Sequence, residues 1–257
     1  MTKTVVIDPG HGGKDSGAVY GNLIEKHMVL VTAKACRDEL VKHGVKVVMT
    51  RETDVFLELS QRARIANNAK ADYFVSIHYN AGGGDGVEAI HSIYRGAGEV
   101  LANNIVNAIH NETGQNFRPR KTYAKKGNGG TDYHAVIRQT SMHAVIVEGA
   151  FIDSGDRFIV DTVEEQQKMG VAIAHGILTT LGIAVKKFNQ APSTGVKKLY
   201  KVQIGAFKNR NNANNLLNKA KQAGFDAFIA VEGGLYKVQI GAYSVKENAV
   251  AQLNKAK

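Results

Sequence analysis

Apolar and polar positions along the chain follow two alternating periods. Short β-branched or apolar runs at Thr4–Asp8, Lys46–Thr50, Tyr73–His78, Gly86–Tyr94 and Ala144–Phe151 predict strands. Between them apolar residues recur at helical spacing. Met28, Leu30, Val31, Ala35, Leu40 and Val41 mark one face of Glu25–His43, with Asn22 as its expected N-cap. Glu58–Lys70, Glu99–Thr113 and Arg157–Leu181 read as helices in the same way. Strands separated by helices of this length predict an α/β domain over residues 1–185, a mostly parallel sheet with helices on both faces. Phe117–Thr131 is rich in Gly, Lys and Arg, follows neither period, and is expected to be a mobile loop beside the functional end.

After Leu181 the pattern changes. Lys186–Lys198 (KKFNQAPSTGVKK) has the polar, Pro- and Gly-containing composition of a linker. Beyond it the chain repeats itself at a period of 36 residues: Leu199–Phe207 (LYKVQIGAF) returns as Leu235–Tyr243 (LYKVQIGAY), and the likeness resumes at Leu217–Lys221 and Leu253–Lys257. Each unit reads strand, helix, strand, and the second unit's closing strand would fall after Lys257. Residues 199–257 are therefore expected to form a small α+β module of βαββα(β) order that lacks its last strand.

Charge sharpens this division. The net +10 comes wholly from the tail: residues 186–257 hold 13 Lys and Arg against 3 acidic residues, whereas residues 1–185 hold 20 of each. A basic tail on a neutral body fits a polyanionic partner or a plain lysine-rich surface. The lone Cys36 excludes an internal disulfide and a cysteine-based metal cluster, so a metal would need His and carboxylate ligands. No apolar run is long enough to span a membrane. The start of the chain shows no basic stretch followed by a long apolar one. It is expected to be made in the cytoplasm without a signal peptide.

Three stretches carry the candidate chemistry. Ile7–Ala18 (IDPGHGGKDSGA) places His11 in a glycine-rich turn directly after a strand, and Ser76–Ala81 places His78 at the end of another. In open α/β sheets functional groups gather at the carboxyl ends of strands, so the two histidines share an address. Glu148 stands inside the apolar run Val145–Phe151, where an unpaired carboxylate costs several kcal/mol. Glu25 at a predicted helix start is, by itself, as well explained by the helix dipole. Two His and one Glu match the three-ligand zinc pattern that leaves a fourth position open, with a second Glu as general acid or base.

These residues make the chain resemble the zinc-dependent N-acetylmuramoyl-L-alanine amidases of the amidase-3 type. Glu25-Lys26, Arg51–Asp54, Leu59–Arg62, Ala71–Ala81 (ADYFVSIHYNA) and Val147–Ile152 (VEGAFI) extend the likeness over roughly Lys3–Leu181. The resemblance implies one Zn2+ held by His11, Glu25 and His78, with Glu148 as the catalytic carboxylate. It implies cleavage of the amide between N-acetylmuramic acid and L-alanine, which lyses the cell wall in mother-cell lysis or as a phage endolysin. The chain departs from the family pattern after Glu148, with Ala150 before Phe151 and Ser154 near the position of an Asn. Residues 199–257 resemble a SPOR module, which implies peptidoglycan binding, with Tyr200, Gln203, Phe207, Tyr236, Gln239 and Tyr243 as glycan-contacting candidates. Asp8 is a candidate to orient His11 or touch substrate, and Asn80 to touch substrate, each beside a structural alternative. His134 and His143 are read as structural or surface residues, with substrate contact as the alternative for His134. The partner is then peptidoglycan rather than nucleic acid, although the paired aromatics of the tail would also stack on bases. The protein is expected to be a monomer that acts at the wall after release.

Overall fold

The computed structural model describes residues 2–186, 200–225, 227–232, 234–243 and 246–256. They fall into two compact units, Met1–Lys186 and Lys187–Lys257. Apart from Lys186, the linker stretch lies outside the described residues.

The first unit is built on a six-stranded sheet. Its strands are β1 (Thr4–Pro9), β4 (Lys46–Met49), β5 (Tyr73–Asn80), β6 (Val87–His91), β7 (Phe117–Ala124) and β8 (His143–Phe151), in the order β4-β1-β5-β8-β6-β7. All neighbours run parallel except β6 and β8. A two-stranded hairpin, β2 (Val19–Tyr20) with β3 (Leu23–Ile24), leads into helix α1 (Glu25–Lys42). Asn22 therefore sits in the hairpin turn and not at the N-cap, which is Ile24.

Strand residues alternate between the two faces of the sheet. Val5, Ile7, Val75, Ile77, Val145 and Val147 join the larger core, with α1, α3 (Ala97–Thr113) and α5 (Val163–Leu181). Val6, Phe74, Ala144, Ile146 and Ile90 join the smaller one, with Ala66 of α2 (Leu59–Asn68) and Val136 and Ile137 of the one-turn α4 (Ala135–Arg138). Helices thus cover both faces, as expected. The expected helix over Arg157–Leu181 is broken: a 3-10 turn at Gly155–Ile159 precedes α5, whose start is set by a Thr162–Glu165 capping box.

The main correction is β7. The first part of the expected loop, Phe117–Ala124, is a strand, which pairs with β6 at the sheet edge. Arginine, lysine and Pro119 hide it from periodicity. Those residues are also what an edge strand tolerates, since its outer groups need no partner and its charge deters further pairing.

Towards the carboxyl ends of β1 and β5, the face of the smaller core turns polar. Asp8 is 1% exposed, and its carboxylate accepts from Arg62 at 2.7 Å, Thr50 Oγ1 at 2.5 Å and Ser76 Oγ at 2.7 Å. Arg62 also donates to the carbonyls of Pro9 at 2.7 Å and His11 at 2.6 Å. Arg51, 3% exposed, donates to Pro9 at 3.0 Å and Gly10 at 2.7 Å. Two buried guanidinium groups thus hold three successive carbonyls of the glycine-rich turn.

The second unit has strands β9 (Tyr200–Phe207), β10 (Phe228–Glu232) and β11 (Leu235–Tyr243), with helices α6 (Arg210–Gln222) and α7 (Lys246–Lys255). Its sheet, in the order β10-β11-β9, is antiparallel throughout. Val202, Val238 and Ile240 are buried, as are Ala213 and Leu217 of α6 and Ala249 of α7. This is the βαββα part of the expected module.

Arg62→Ala would leave the Asp8 carboxylate buried without its charge partner, a change that costs about 3–5 kcal/mol. Chemical denaturation of the full chain should show the first unit's transition destabilised by that amount. A loss below about 1 kcal/mol would show that the Asp8–Arg62 pair does not hold the fold.

Candidate functional site

The turn held by the two arginines presents His11 in the left-handed region, at φ +58°. Its imidazole meets two groups brought from distant segments. Glu25, at the first turn of α1, is buried, and its carboxylate accepts the backbone N–H of Tyr79 at 3.0 Å and of Ala18 at 2.8 Å. His78 projects from the end of β5. His11 Nε2, Glu25 Oε1 and His78 Nδ1 lie 3.0–3.1 Å from one another in all three pairings.

The arrangement leaves no room for larger backbone residues. A Cβ on Gly10 would lie 2.2 Å from the His78 ring, and one on Gly17 2.5 Å from the Glu25 carboxylate. Asp15, four residues after His11, binds the other ring nitrogen: Oδ2 is 2.9 Å from His11 Nδ1. A carboxylate there fixes the imidazole orientation and leaves Nε2 directed at Glu25 and His78.

The charges of this corner are strongly coupled. Burial works against the ionised forms, but the contacts outweigh it. Hydrogen bonds and charge from His11 and His78 hold Glu25 well below the usual carboxylate range. Burial would lower His78, yet its contact with Glu25 raises it to about 9, and His11 is raised by the same partner.

Glu148 lies beside this corner in strand register, directly opposite His78 on β5 and Glu88 on β6. It shares with His11 and His78 a cleft of about 410 Å3, walled on its apolar side by Phe56, Leu57, Val136 and Ile146. Burial, aided by the negative charges of Glu25 and Glu88, raises Glu148 to about 7, against the opposing effect of His78. A carboxyl poised there takes up and releases a proton near neutral pH.

Among the described residues, His11, Glu25 and His78 are the group of His, Cys, Asp or Glu side chains that converges tightly enough to hold a metal. A tetrahedral ion with bonds of about 2.0–2.1 Å sets its ligands roughly 3.3 Å apart, so the triangle needs only slight opening. The histidine side chains are 22% and 23% exposed towards the cleft, which leaves one side accessible. The donor set fits zinc.

Of the other expected site residues, Asp8 lines the floor of the same cleft; among the described residues it makes no hydrogen bond to the His11 ring and acts on the turn through Arg62. Asn80 donates to Glu88 at 3.1 Å and accepts from the N–H of Ala81. Ser154, at the departure from the family pattern, caps the Gly155–Ile159 turn and donates to Gly84 O at 2.7 Å. In the second unit Gln203 is exposed and Phe207 and Tyr236 half-buried. Gln239 is only 2% exposed on the central strand and is removed from a glycan-facing surface. The side chains of Tyr200 and Tyr243 lie outside the described ones.

The sequence gives Asp15 and Arg51 no role of their own, and it leaves substrate contact by His134 as an alternative to a structural one. The spacing of Asp15 from His11 within one turn was the available signal. His134 lines the cleft, and its Nε2 is buried with no hydrogen-bond partner among the described residues. No period marks it, since it stands in the non-helical step before α4. His143 is exposed at the opposite end of β8 from Glu148.

Fold and site together define an α/β domain with a His–Glu–His corner able to hold a metal ion beside a carboxyl group of raised proton affinity. The sequence pattern of N-acetylmuramoyl-L-alanine amidase matches residues 5–179, and that of the SPOR domain residues 196–257. The chain belongs to the N-acetylmuramoyl-L-alanine amidase family. It is similar to the sporulation-specific N-acetylmuramoyl-L-alanine amidase of Bacillus subtilis, with 38% identity over 89% of this chain and 84% of that protein. The endolysin of Bacillus phage SPP1 is 36% identical over 77% of this chain and 76% of its own length. Among solved structures, the catalytic domain of CwlV, an N-acetylmuramoyl-L-alanine amidase from Bacillus (Paenibacillus) polymyxa, matches with a TM-score of 0.62. That match has 35% identity and covers 71% of this chain and 100% of that one.

Two outcomes are expected of the corner. Asp15→Ala should weaken metal binding about 10–100-fold, the usual cost of losing the group that orients a ligating histidine. Competition with a chelating dye measures this, and unchanged affinity would remove Asp15 from that role. Metal binding also needs an unprotonated imidazole, and the His78 proton is held up to about pH 9. Apparent affinity should therefore climb ~tenfold per pH unit for each proton displaced and level off above pH 9. A flat profile between pH 6 and 9 would contradict the assignment.

Proposed function

We propose that His11, Glu25 and His78 hold one Zn2+ and that Glu148 is the catalytic carboxylate of the amidase. The observation that carries this reading is the convergence of three ligand atoms from three distant segments, with Glu148 in register beside His78. The enzyme hydrolyses the amide between the lactyl group of N-acetylmuramic acid and L-alanine. The bound ion supplies Lewis acidity towards the scissile carbonyl and towards water. The chain's own residues do the rest. Glu148, ionised, takes a proton from the attacking water and returns it to the departing L-alanine nitrogen, and its raised proton affinity suits both steps. The apolar wall of Phe56, Leu57, Val136 and Ile146 limits water around the reacting bond. His134, with its unpartnered Nε2, stands ready to hydrogen-bond substrate in the same cleft.

The second unit is read as the wall-binding part. Its match to the SPOR domain and its excess of lysine and arginine support this. Phe207 pairs with Tyr236, and Tyr200 with Tyr243, across neighbouring strands, and exposed Gln203 lies on the same strand. All four groups of the amidase site come from one chain, so the site needs no second copy, which fits action as a monomer. Likeness to both a sporulation amidase and an endolysin supports a wall-lytic enzyme; synthesis in the cytoplasm and action once at the wall are part of the same proposal.

Chelation should abolish clearing of purified walls, and added zinc should restore it. Glu148→Gln should lower turnover by at least about 100-fold, the scale of a lost general acid–base group, with metal content unchanged. Mass spectrometry should find new amino groups on L-alanine, and release of reducing sugars instead would identify a glycosidase. In the metal-free protein the Glu148 carboxyl should release its proton as pH climbs through about 7, which its carboxyl band in infrared difference spectra reads, and loading with zinc should move that transition to lower pH. Full activity in Glu148→Gln would falsify its role.

A further inference from the structure

The polar row that holds His78 and Glu148 continues outward to Glu88, and β7 lies one strand beyond. There the edge strand bulges. Phe117 pairs with Val87 and Thr122 with Ala89, so β7 takes five residues where β6 takes two. The bulge carries Arg118, Pro119 and Arg120. With Tyr123 and Lys125 these residues wall an open groove of about 450 Å3 that has Glu88 in its lining.

The charges of this groove do not cancel. Glu88 is already engaged: it is 8% exposed, accepts from Asn80 at 3.1 Å and pairs with Arg118 at 3.4 Å. Arg118 also lies over the Phe151 ring at 4.8 Å. That pair neutralises itself, which leaves Arg120 and Lys125, both exposed. Arg120 makes no hydrogen bond or ion pair among the described residues, and Lys125 rests over the Tyr133 ring at 3.8 Å. Both cations are therefore available to an anion.

Their distance from the reacting bond limits which anion that is. Strands are spaced about 4.8 Å apart, so β7 lies roughly 10 Å from the strand of Glu148. An extended peptide covers that span in two or three residues at about 3.3–3.6 Å each. Sugars bring no carboxylate to this region, because the lactyl carboxyl is the carbonyl under attack. The stem peptide carries acidic groups at about that reach.

We propose that the β7 groove is a subsite for a carboxylate of the second or third stem-peptide residue, held by Arg120 and Lys125. This rests on the amidase reading, which places L-alanine beside Glu148; the proposal takes the rest of the peptide towards β6 and β7, the direction in which the polar row continues to Glu88 and the cationic groove opens. The subsite would make the enzyme selective between wall peptides with free acidic groups and those in which the same groups are amidated.

The test compares two muramoyl tripeptides that differ only in having these carboxylates free or converted to carboxamides. The wild type should favour the free form about tenfold in kcat/KM, mainly through KM, and the preference should shrink at high salt. An Arg120→Ala, Lys125→Ala double variant, altered only at exposed positions, should lose the preference by slowing the free form alone. The released tripeptides, free and amidated, are titrated calorimetrically into metal-loaded protein carrying Glu148→Gln, with and without the double change. Binding should show the same dependence, and this reading needs no turnover, so an error in the catalytic assignment would not disguise the result. Equal handling of both peptides by the wild type, or an undiminished preference in the double variant, overturns the proposal.

Discussion

The site depends on a buried ion pair beneath it. Asp8 and Arg62 are almost fully removed from solvent, and each satisfies the other while also serving neighbours. Arg62 and Arg51 use their remaining donors on the carbonyls of Pro9, Gly10 and His11. A glycine-rich turn would otherwise have many conformations, and it holds a non-glycine residue in a left-handed geometry that ordinarily costs energy. Charge-assisted bonds to three successive carbonyls overcome that cost. The position of His11 is thus set by backbone capture, and Asp15 sets only the rotation of its ring.

From there the sheet does the ordering. Asp8, Ser76, His78, Glu148 and Glu88 occupy one face at neighbouring register positions. Side chains that share a face across adjacent strands stand about 5 Å apart, so like charges are forced together. Glu148 responds with its raised proton affinity, whereas Glu88 is answered by Arg118 and Asn80. Glu148 and Glu88, opposite one another in the row, therefore differ because Glu88 is held by an arginine and an amide whereas Glu148 faces His78 of the ligand corner.

How far the sequence discloses this follows from locality. His11 and His78 are legible because each follows directly on an apolar strand, and Glu148 because it interrupts one. Glu25 needs the resemblance, since its sequence neighbours equally support a helix-dipole role. Arg51 and Arg62 are not legible as a clamp, because their partners lie 41 to 53 residues away. β7 escapes because its bulge breaks the two-residue period that identifies strands. In the second unit, Gln203 and Gln239 hold matching places in the repeat, yet one is exposed and the other buried. Among the described residues β11 has a neighbour on each side and β9 has one, a difference that identical local sequence cannot encode.

The separation of the ligands along the chain has a further consequence. Glu25 Oε1 and His78 Nδ1 meet across 53 intervening bonds of sequence, and His11 and His78 across 67. An ion bound there closes long loops, so that its binding energy also opposes unfolding. Were the corner loaded as proposed, metal supply would govern lifetime as well as rate: the unloaded chain would open more often to proteases, and loading would act as a clasp between the start of the fold and its centre.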